Sequence, residues 1–281
     1  MRMNKQLKAL NHIDKVQLLV VVFNYNRANF LAKCLDSILL QKTDIKFRIV
    51  VLDDCSCDES RDVVQKIKVQ FPSQEVHFFS PNRNLGGGQH VMEFFKEQLD
   101  ELSDTDYIYK IDSDDFLIND FKFSRQIDFL QKHPNCVAHC HRYKIYNEID
   151  NVEIVTDDLI NGEFSSSELI RLLNKVPTYT HISTYMFRNV HKSVSCPESR
   201  YKFFWGDTLL VWAMLKHGNV FYDKECMSVY RVHAGGVWTS FKSKDSIFFK
   251  IGRHLKIIWI LRTSDKFLYS SQVIKKYLKI F

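Results

Sequence analysis

Apolar and polar positions change rhythm several times along the chain, and each rhythm predicts an element. Val16–Phe23 is a short, nearly continuous apolar run, the pattern of a strand covered on both faces. Phe30, Leu31, Cys34, Leu35, Ile38 and Leu39 then recur at helical spacing. Phe47–Leu52 predicts a second strand. After it, Ser56 and Glu59 have the spacing of a capping box, and Val63, Val64 and Ile67 give the next helix its apolar face. Val76–Phe79 predicts a third strand. The loop Pro81–Gly88 leads into a helix from about Gln89 to Leu102, and Tyr107–Ile111 predicts a fourth strand that runs into acids.

The second half is less regular. Val137–Tyr146 and Val152–Thr156 predict strands, and Ser165 with Glu168 predicts a capped helix through about Asn174. Tyr185–Arg188 predicts a short strand. Asp207–His217 predicts a helix closed by Gly218, and Val220–Tyr222 and Ser228–Val232 two further strands. Repeated strand–helix units predict an α/β fold with a doubly wound, mostly parallel sheet. In such sheets ligands bind beyond the carboxyl ends of the strands.

Composition agrees with a folded chain: 45% of the 281 residues are apolar and 26% charged, and no segment has the make-up of a disordered linker. Charge changes the picture more. The net charge is +6, yet 242–281 alone holds ten Lys or Arg against two Asp, which leaves the remainder slightly acidic. That argues against a nucleic-acid binder, which needs a basic face on its folded domain. In the tail, Ile247, Phe248, Ile251, Leu255, Ile258 and Trp259 recur at helical spacing with Lys250, Arg253, Lys256 and Arg262 between them. Residues 241–281 therefore predict a basic amphipathic helix. It would lie on an anionic membrane surface, or pack on the domain with its basic face in water. The polar, basic start, the odd total of seven cysteines and the lack of a long apolar run predict a cytoplasmic protein with reduced thiols, peripheral on the membrane if the tail binds there.

Ile111-Asp112-Ser113-Asp114-Asp115 carries the strongest chemical signal. Three carboxylates where a strand ends repel one another unless a cation or water relieves them. Mg²⁺ or Mn²⁺ takes such oxygens together with substrate phosphates; the competing reading is a solvated turn capping a helix near Asn119. Asp53-Asp54 also closes a strand, so the two acidic pairs belong on one rim. Asn84-Leu85-Gly86-Gly87-Gly88 permits positive φ and close backbone approach before a helix, but it is neither a P-loop nor the dinucleotide fingerprint. His133, Cys136, His139, Cys140 and His141 lack an established zinc spacing. On a strand the cysteines would face one side while His139 and His141 face the other.

These pieces, in this order, resemble a family 2 glycosyltransferase with the GT-A fold. Val21-Val22-Phe23-Asn24-Tyr25-Asn26-Arg27 is similar to its first strand and nucleotide loop. Val50–Asp58 resembles its second strand and Asp-Asp-x-Ser-x-Asp turn, and Asn84-Leu85-Gly86 its Asn-x-Gly loop. Asp112-Ser113-Asp114-Asp115 matches its Asp-x-Asp motif, Gly206-Asp207 stands at its Glu-Asp position, and Tyr230-Arg231-Val232-His233 resembles its Tyr-Arg-x-His signature. The resemblance spans about Lys15 to Trp238. It departs from the family at Phe23 and Asn24, which bears on base preference, at Met92, which removes one expected polar contact, and at Gly206, which bears on the assignment of the general base.

The resemblance implies a GT-A domain over 1–240, with a donor half of about 15–120, an acceptor half of about 121–240 and the helical tail 241–281. It implies donor-nucleotide contacts from Phe23, Tyr25, Arg27, Asp53, Asp54, Asn84, Gly86, Asp112 and Ser113. Asp114 and His233 would hold Mn²⁺ or Mg²⁺, and Asp207 would be the general base. His181, Trp205 and Gly206 would lie toward the acceptor. The implied activity is inverting transfer from a nucleotide-sugar donor to a saccharide or lipid-linked saccharide, with cell-surface polysaccharide or glycolipid as the setting. Two rivals share parts of the pattern. A nucleotidyltransferase would want a glycine-rich activating loop where Asn24-Tyr25-Asn26-Arg27 stands. A non-catalytic binding protein would keep the fold and dock through the tail.

Overall fold

The computed structural model describes residues 17–86, 105–156, 162–165, 168, 180–190 and 217–236. Expectations for the Gln89–Leu102 helix, for most of the helix capped at Ser165, for Asp207–His217 and for the tail lie outside these residues. The chain divides into two compact units, the larger of Met1–Tyr146 and Glu153–Arg231, the smaller of Asn147–Val152 and Val232–Phe281.

The larger unit is built on one sheet. In chain order its elements are β1 (Leu18–Asn24), α1 (Ala28–Leu39), β2 (Phe47–Asp53), α2 (Ser60–Gln70), β3 (Val76–Phe79), β4 (Tyr107–Asp112), β5 (Phe116–Leu117), α3 (Lys122–Lys132), β6 (Cys136–Asn147), β7 (Val152–Val155), β8 (Gly162–Phe164), β9 (Met186–Arg188) and β10 (Asn219–Val232). The spatial order is β3-β2-β1-β4-β9-β6-β10-β5, with β7 on β6 and β8 on β10. Pairings among β3, β2, β1 and β4 are parallel. β9 then runs antiparallel to both β4 and β6.

β1 explains its own sequence. All seven residues are buried, because β2 and β4 occupy both edges and both faces are covered. Leu18, Val20 and Val22 share a core with Leu31, Cys34, Leu35 and Ile38 of α1, Val64 and Ile67 of α2, and Phe123, Ile127 and Leu130 of α3. Leu19 and Val21, on the opposite face, are equally closed to solvent. Each such side chain contributes about 1.5–3 kcal/mol by leaving water.

Two local expectations change. Ser56 does not cap α2, whose N-terminal residue Glu59 has no side-chain cap. Its hydroxyl is drawn into the turn below β2, and Asp58 takes over, accepting from the Ser60 N–H at 3.1 Å and the Ala28 N–H at 2.9 Å. The two late strands are one, Asn219–Val232, since polar Asp223–Cys226 continues the ladder between its apolar ends. The Ser165–Glu168 capping box does form: Ser165 N–H and Oγ donate to Glu168 Oε2 at 2.9 and 2.6 Å, and Glu168 N–H donates back to Ser165 Oγ at 3.3 Å. Among the described residues no helix is long and apolar enough to cross a membrane.

Candidate active site

The chain leaves β1 toward β2 and β3, then returns to β4 on β1's other edge. The strand order therefore reverses between β1 and β4, where open α/β sheets form their binding crevice. Register fixes which residues meet there: Asn24 pairs with Asp53, and Phe23 with Asp112. The acidic turns after β2 and β4 thus flank the loop after β1, as the sequence predicts.

The turn after β2 is tightly bonded. Asp53, 2% exposed, accepts from Asn24 Nδ2 at 2.7 Å, the Ser56 N–H at 2.8 Å and Ser80 Oγ at 2.9 Å, and also from Ser56 Oγ. Asn26 closes the facing loop: its N–H donates to Ser56 Oγ at 2.8 Å and its Oδ1 accepts from the Cys57 N–H at 2.9 Å. Asn26 and Cys55 sit at φ 49° and 64°, left-handed conformations that this network holds in place. Asp54 reaches the Asn84–Gly86 loop instead, accepting the Leu85 N–H at 2.8 Å and the Gly86 N–H at 2.9 Å. Asn84 Nδ2 donates to the Asp54 carbonyl at 3.1 Å. Gly86 has φ +66°, which explains the glycine. Tyr25 stands exposed at the tip of the loop after β1.

The turn after β4 gathers charge of both signs. The Ser113 N–H donates to the Phe23 carbonyl at 2.8 Å. Asp114 pairs with Arg27 at 3.5 Å, and its carbonyl accepts from Arg231 Nε at 2.9 Å. Asp115 is 1% exposed; Oδ1 accepts the Arg231 N–H at 3.0 Å, and Oδ2 is buried with no hydrogen-bond donor. His181, just ahead of β9, brings Nδ1 to 3.5 Å from that oxygen. Its ring packs against Tyr230 and Tyr143 at 4.6 and 5.7 Å, and Nδ1 is 2.9 Å from Ser183 Oγ. Asp112, Asp115 and His181 each offer a ligand atom within 4.8 Å of the others, the one such group of His, Cys, Asp or Glu among the described residues.

Titration reflects this crowding. Burial, with Asp114 adding to it against Lys110 and Arg27, pushes Asp112 up to about 6. Burial and then the charges of Asp114 and Asp112 raise Asp115 well above the usual carboxylate range. Burial lowers His181 to about 4, so its imidazole is neutral at pH 7. Burial also lowers Lys110, whose Nζ lies 4.2 Å over the Phe23 ring, to about 8. Carboxylates that resist ionising while one oxygen lacks a donor fit a cation. Two carboxylates and a neutral imidazole are a donor set that Mn²⁺ or Mg²⁺ accepts.

The sequence did not single out Asp115 beyond its place in the motif, nor the juxtaposition with His181, which was expected on the acceptor side. No spacing rule joins them; the β4–β9 pairing does. His233 is buried just past β10 and belongs to the smaller unit, where the Gly236 N–H donates to its carbonyl. Trp205, Gly206 and Asp207 lie outside the described residues.

Comparison with known proteins bears on the family and the fold. The family model described as Glycosyl transferase family 2 matches residues 19–195. An uncharacterized protein of Mycobacterium tuberculosis is 22% identical over 229 residues, covering 79% of this chain and 60% of that protein, so the chain spans less than two thirds of this relative. Among solved structures, S. aureus TarS 1–349 in complex with UDP-GlcNAc superposes with TM-score 0.64 at 17% identity, covering 93% of this chain and 71% of that one. A mannosyltransferase from Pyrobaculum calidifontis in complex with GDP-Man and Mn²⁺ gives TM-score 0.53 at 13% identity, covering 84% and 65%. The fold is thus the expected GT-A fold.

Proposed function

The chain belongs to glycosyl transferase family 2, and we propose that it moves a sugar from a nucleoside-diphosphate donor onto a hydroxyl acceptor, with inversion. The observation that carries this reading is the meeting of two acidic turns, Asp53-Asp54 and Asp112–Asp115, around the loop after β1 at the sheet's reversal point. The nucleotide-sugar complexes of the two structural neighbours support it.

On this reading Tyr25 and the loop held by Asp53 border the base, together with Asn84 and Gly86. Asp54 keeps the Asn84–Gly86 loop at the donor, and Asp112 and Ser113 face the ribose. A divalent cation at the 112–115 turn would stabilise the charge that develops on the departing diphosphate. Asp207 takes the acceptor's proton, a role worth about 10²–10⁴-fold, with Trp205 and Gly206 beside it. Arg27, paired with Asp114, would offer its positive charge to the phosphates. An acceptor that is a saccharide or lipid-linked saccharide suits the basic tail.

The test is a binding and hydrolysis panel of nucleotide sugars, including UDP-GlcNAc and GDP-mannose, with Mn²⁺, Mg²⁺ or chelator. Saturable binding of one donor with slow hydrolysis, the hydrolysis lost in Asp207→Asn, is expected. Absence of binding to every donor in every condition overturns the reading.

A further inference from the structure

We propose that the cavity between α3 and the strands β6 and β10 is a second ligand site, and that it takes one neutral pyranose ring of a saccharide. It lies within the larger unit and does not depend on the nucleotide-sugar reading of the crevice.

The cavity has a volume of about 350 Å³, near the lower end of the range for small-molecule sites. On α3, Arg125, Asp128, Phe129 and Lys132 stand at i, i+3, i+4 and i+7 and form one stripe along its wall. β6 supplies His139, and β10 supplies Phe221 and Asp223. His139 is in register with Met186, and Met186 with Tyr109 of β4. Asp112 follows Tyr109 by three positions on β4, so the cavity sits at a level about 10 Å short of the rim that carries the acidic turns.

Charge selects the class of ligand. Arg125 and Lys132 are balanced by Asp128 and Asp223. An anion would meet both carboxylates and a cation both bases, whereas a neutral ligand rich in donors and acceptors is repelled by neither. The floor offers both kinds of partner. Asp223, 4% exposed, accepts from Arg125 Nε at 2.7 Å and from the Glu225 N–H at 2.9 Å, which leaves each carboxylate oxygen a lone pair. His139, 1% exposed, carries its proton on Nε2, because Nδ1 accepts from Gln126 Nε2 at 3.1 Å. That amide is oriented by the His139 and Thr184 carbonyls, both at 2.9 Å, and by Lys122 Nζ, which donates to its oxygen at 2.6 Å. Burial lowers His139 to about 3, so the ring is neutral at pH 7. Its Nε2 stands 3.8 Å from Asp223 Oδ2, too far for a hydrogen bond. A ligand hydroxyl about 2.8 Å from both accepts from His139 and donates to Asp223, and the half-exposed Arg125 guanidinium offers donors to its neighbour. Adjacent hydroxyls of this kind line the edge of a pyranose, and its faces carry C–H groups. Phe221, with its ring 4.1 Å from Phe129 and 5.3 Å from His139, gives those C–H groups an aromatic wall with a negative face.

The experiment uses the full chain and the methyl pyranosides of glucose, galactose, mannose and N-acetylglucosamine. Saturation-transfer NMR gives the affinity. A diazirine analogue of the tightest binder, cross-linked and mapped by mass spectrometry, gives the place. We expect saturable binding of at least one glycoside at roughly millimolar concentration, with adducts on α3, β6 or β10. Arg125→Gln and Asp223→Asn should each weaken it at least about tenfold, and inorganic phosphate should not displace it. Thermal unfolding checks that each variant folds, and the wild-type adduct map locates the ligand without either variant. No saturable binding of any glycoside, adducts only on other segments, displacement by phosphate, or wild-type affinity in either folded variant overturns the proposal. Failure of the nucleotide-sugar reading is seen separately, as absence of donor binding while the glycoside still binds.

Discussion

At the residue scale, Asp54 is the side chain whose loss the site should feel most directly. Its two oxygens hold the N–H groups of Leu85 and Gly86, and it is 3% exposed. Asp54→Asn puts an amide NH₂ against one of those donors and leaves it unsatisfied, at a cost of about 1–3 kcal/mol. The urea midpoint should fall accordingly, and donor affinity with it as the Asn84–Gly86 loop loosens. A midpoint unchanged from wild type would show that the loop does not depend on this carboxylate. Asp58 offers a pH test. Burial alone would raise it, but hydrogen bonds from Ser60 and from the Ala28 N–H outweigh burial and hold it below 3.8. A carboxyl lowered in the folded state adds stability above its unfolded value of about 4, and that stability is lost as pH falls through the folded value. The stability gap between wild type and Asp58→Asn should therefore be full at pH 6 and shrink below pH 4 in urea titrations. A gap that stays constant down to pH 2.5 would remove the carboxylate from the account. Asp53, Asp54, Asp112 and Asp114 are legible in the sequence because each lies in an acid cluster where an apolar run stops. His181 is not legible as their neighbour, because a long stretch of chain separates it from Asp115 and only the antiparallel β4–β9 pairing closes the distance.

At the element scale, β1 to β4, α1 and α2 are readable in the sequence because each carries a single, uninterrupted period. β1 to β4 are apolar runs bounded by polar turns, and α1 shows its buried face as Leu31, Cys34, Leu35 and Ile38. The second half was harder because tertiary contacts override local pattern. β10 carries polar Asp223-Lys224-Glu225-Cys226 in mid-strand, which sequence periodicity reads as a break. Asp223 is nonetheless buried, because Arg125 of α3 pairs with it at 2.7 Å. β5 and β8, of two and three residues, are too short to show any period. The same reasoning locates where α1 matters. Leu35 has no solvent exposure and belongs to the core shared by β1, α2 and α3. Leu35→Ala should cost about 2–5 kcal/mol, the transfer term plus the cavity. The urea midpoint should fall with the m-value unchanged, as for a loss of stability without a change in the surface exposed on unfolding. A cost under 1 kcal/mol would mean that the helix is not wedged against the sheet as described.

At the scale of the whole molecule, charge is the organising feature. The GT-A sheet concentrates acids at one rim, balanced locally by Arg27, Lys110 and Arg231, while the chain's excess of positive charge falls in 242–281. If the acceptor is carried by an anionic surface, that separation would bring the tail's positive charge to it. Near such a surface each Lys or Arg contributes about 1 kcal/mol, within roughly a Debye length. Replacing Lys250, Arg253, Lys256 and Arg262 together by Gln keeps the apolar positions between them and removes four charges. If the tail meets the membrane through these side chains, partition onto phosphatidylserine vesicles should fall by roughly a thousandfold. Raising salt from 0.1 to 0.5 M should weaken wild type in the same direction, since screening acts on exposed charge. Hydrolysis of a soluble nucleotide-sugar donor should be unaffected, because the donor residues lie elsewhere in the chain. Co-sedimentation with vesicles reads the first two outcomes and a donor assay the third. Equal vesicle binding by wild type and the four-site variant would rule out this role for the basic residues, and the acceptor would then have to be sought among soluble saccharides.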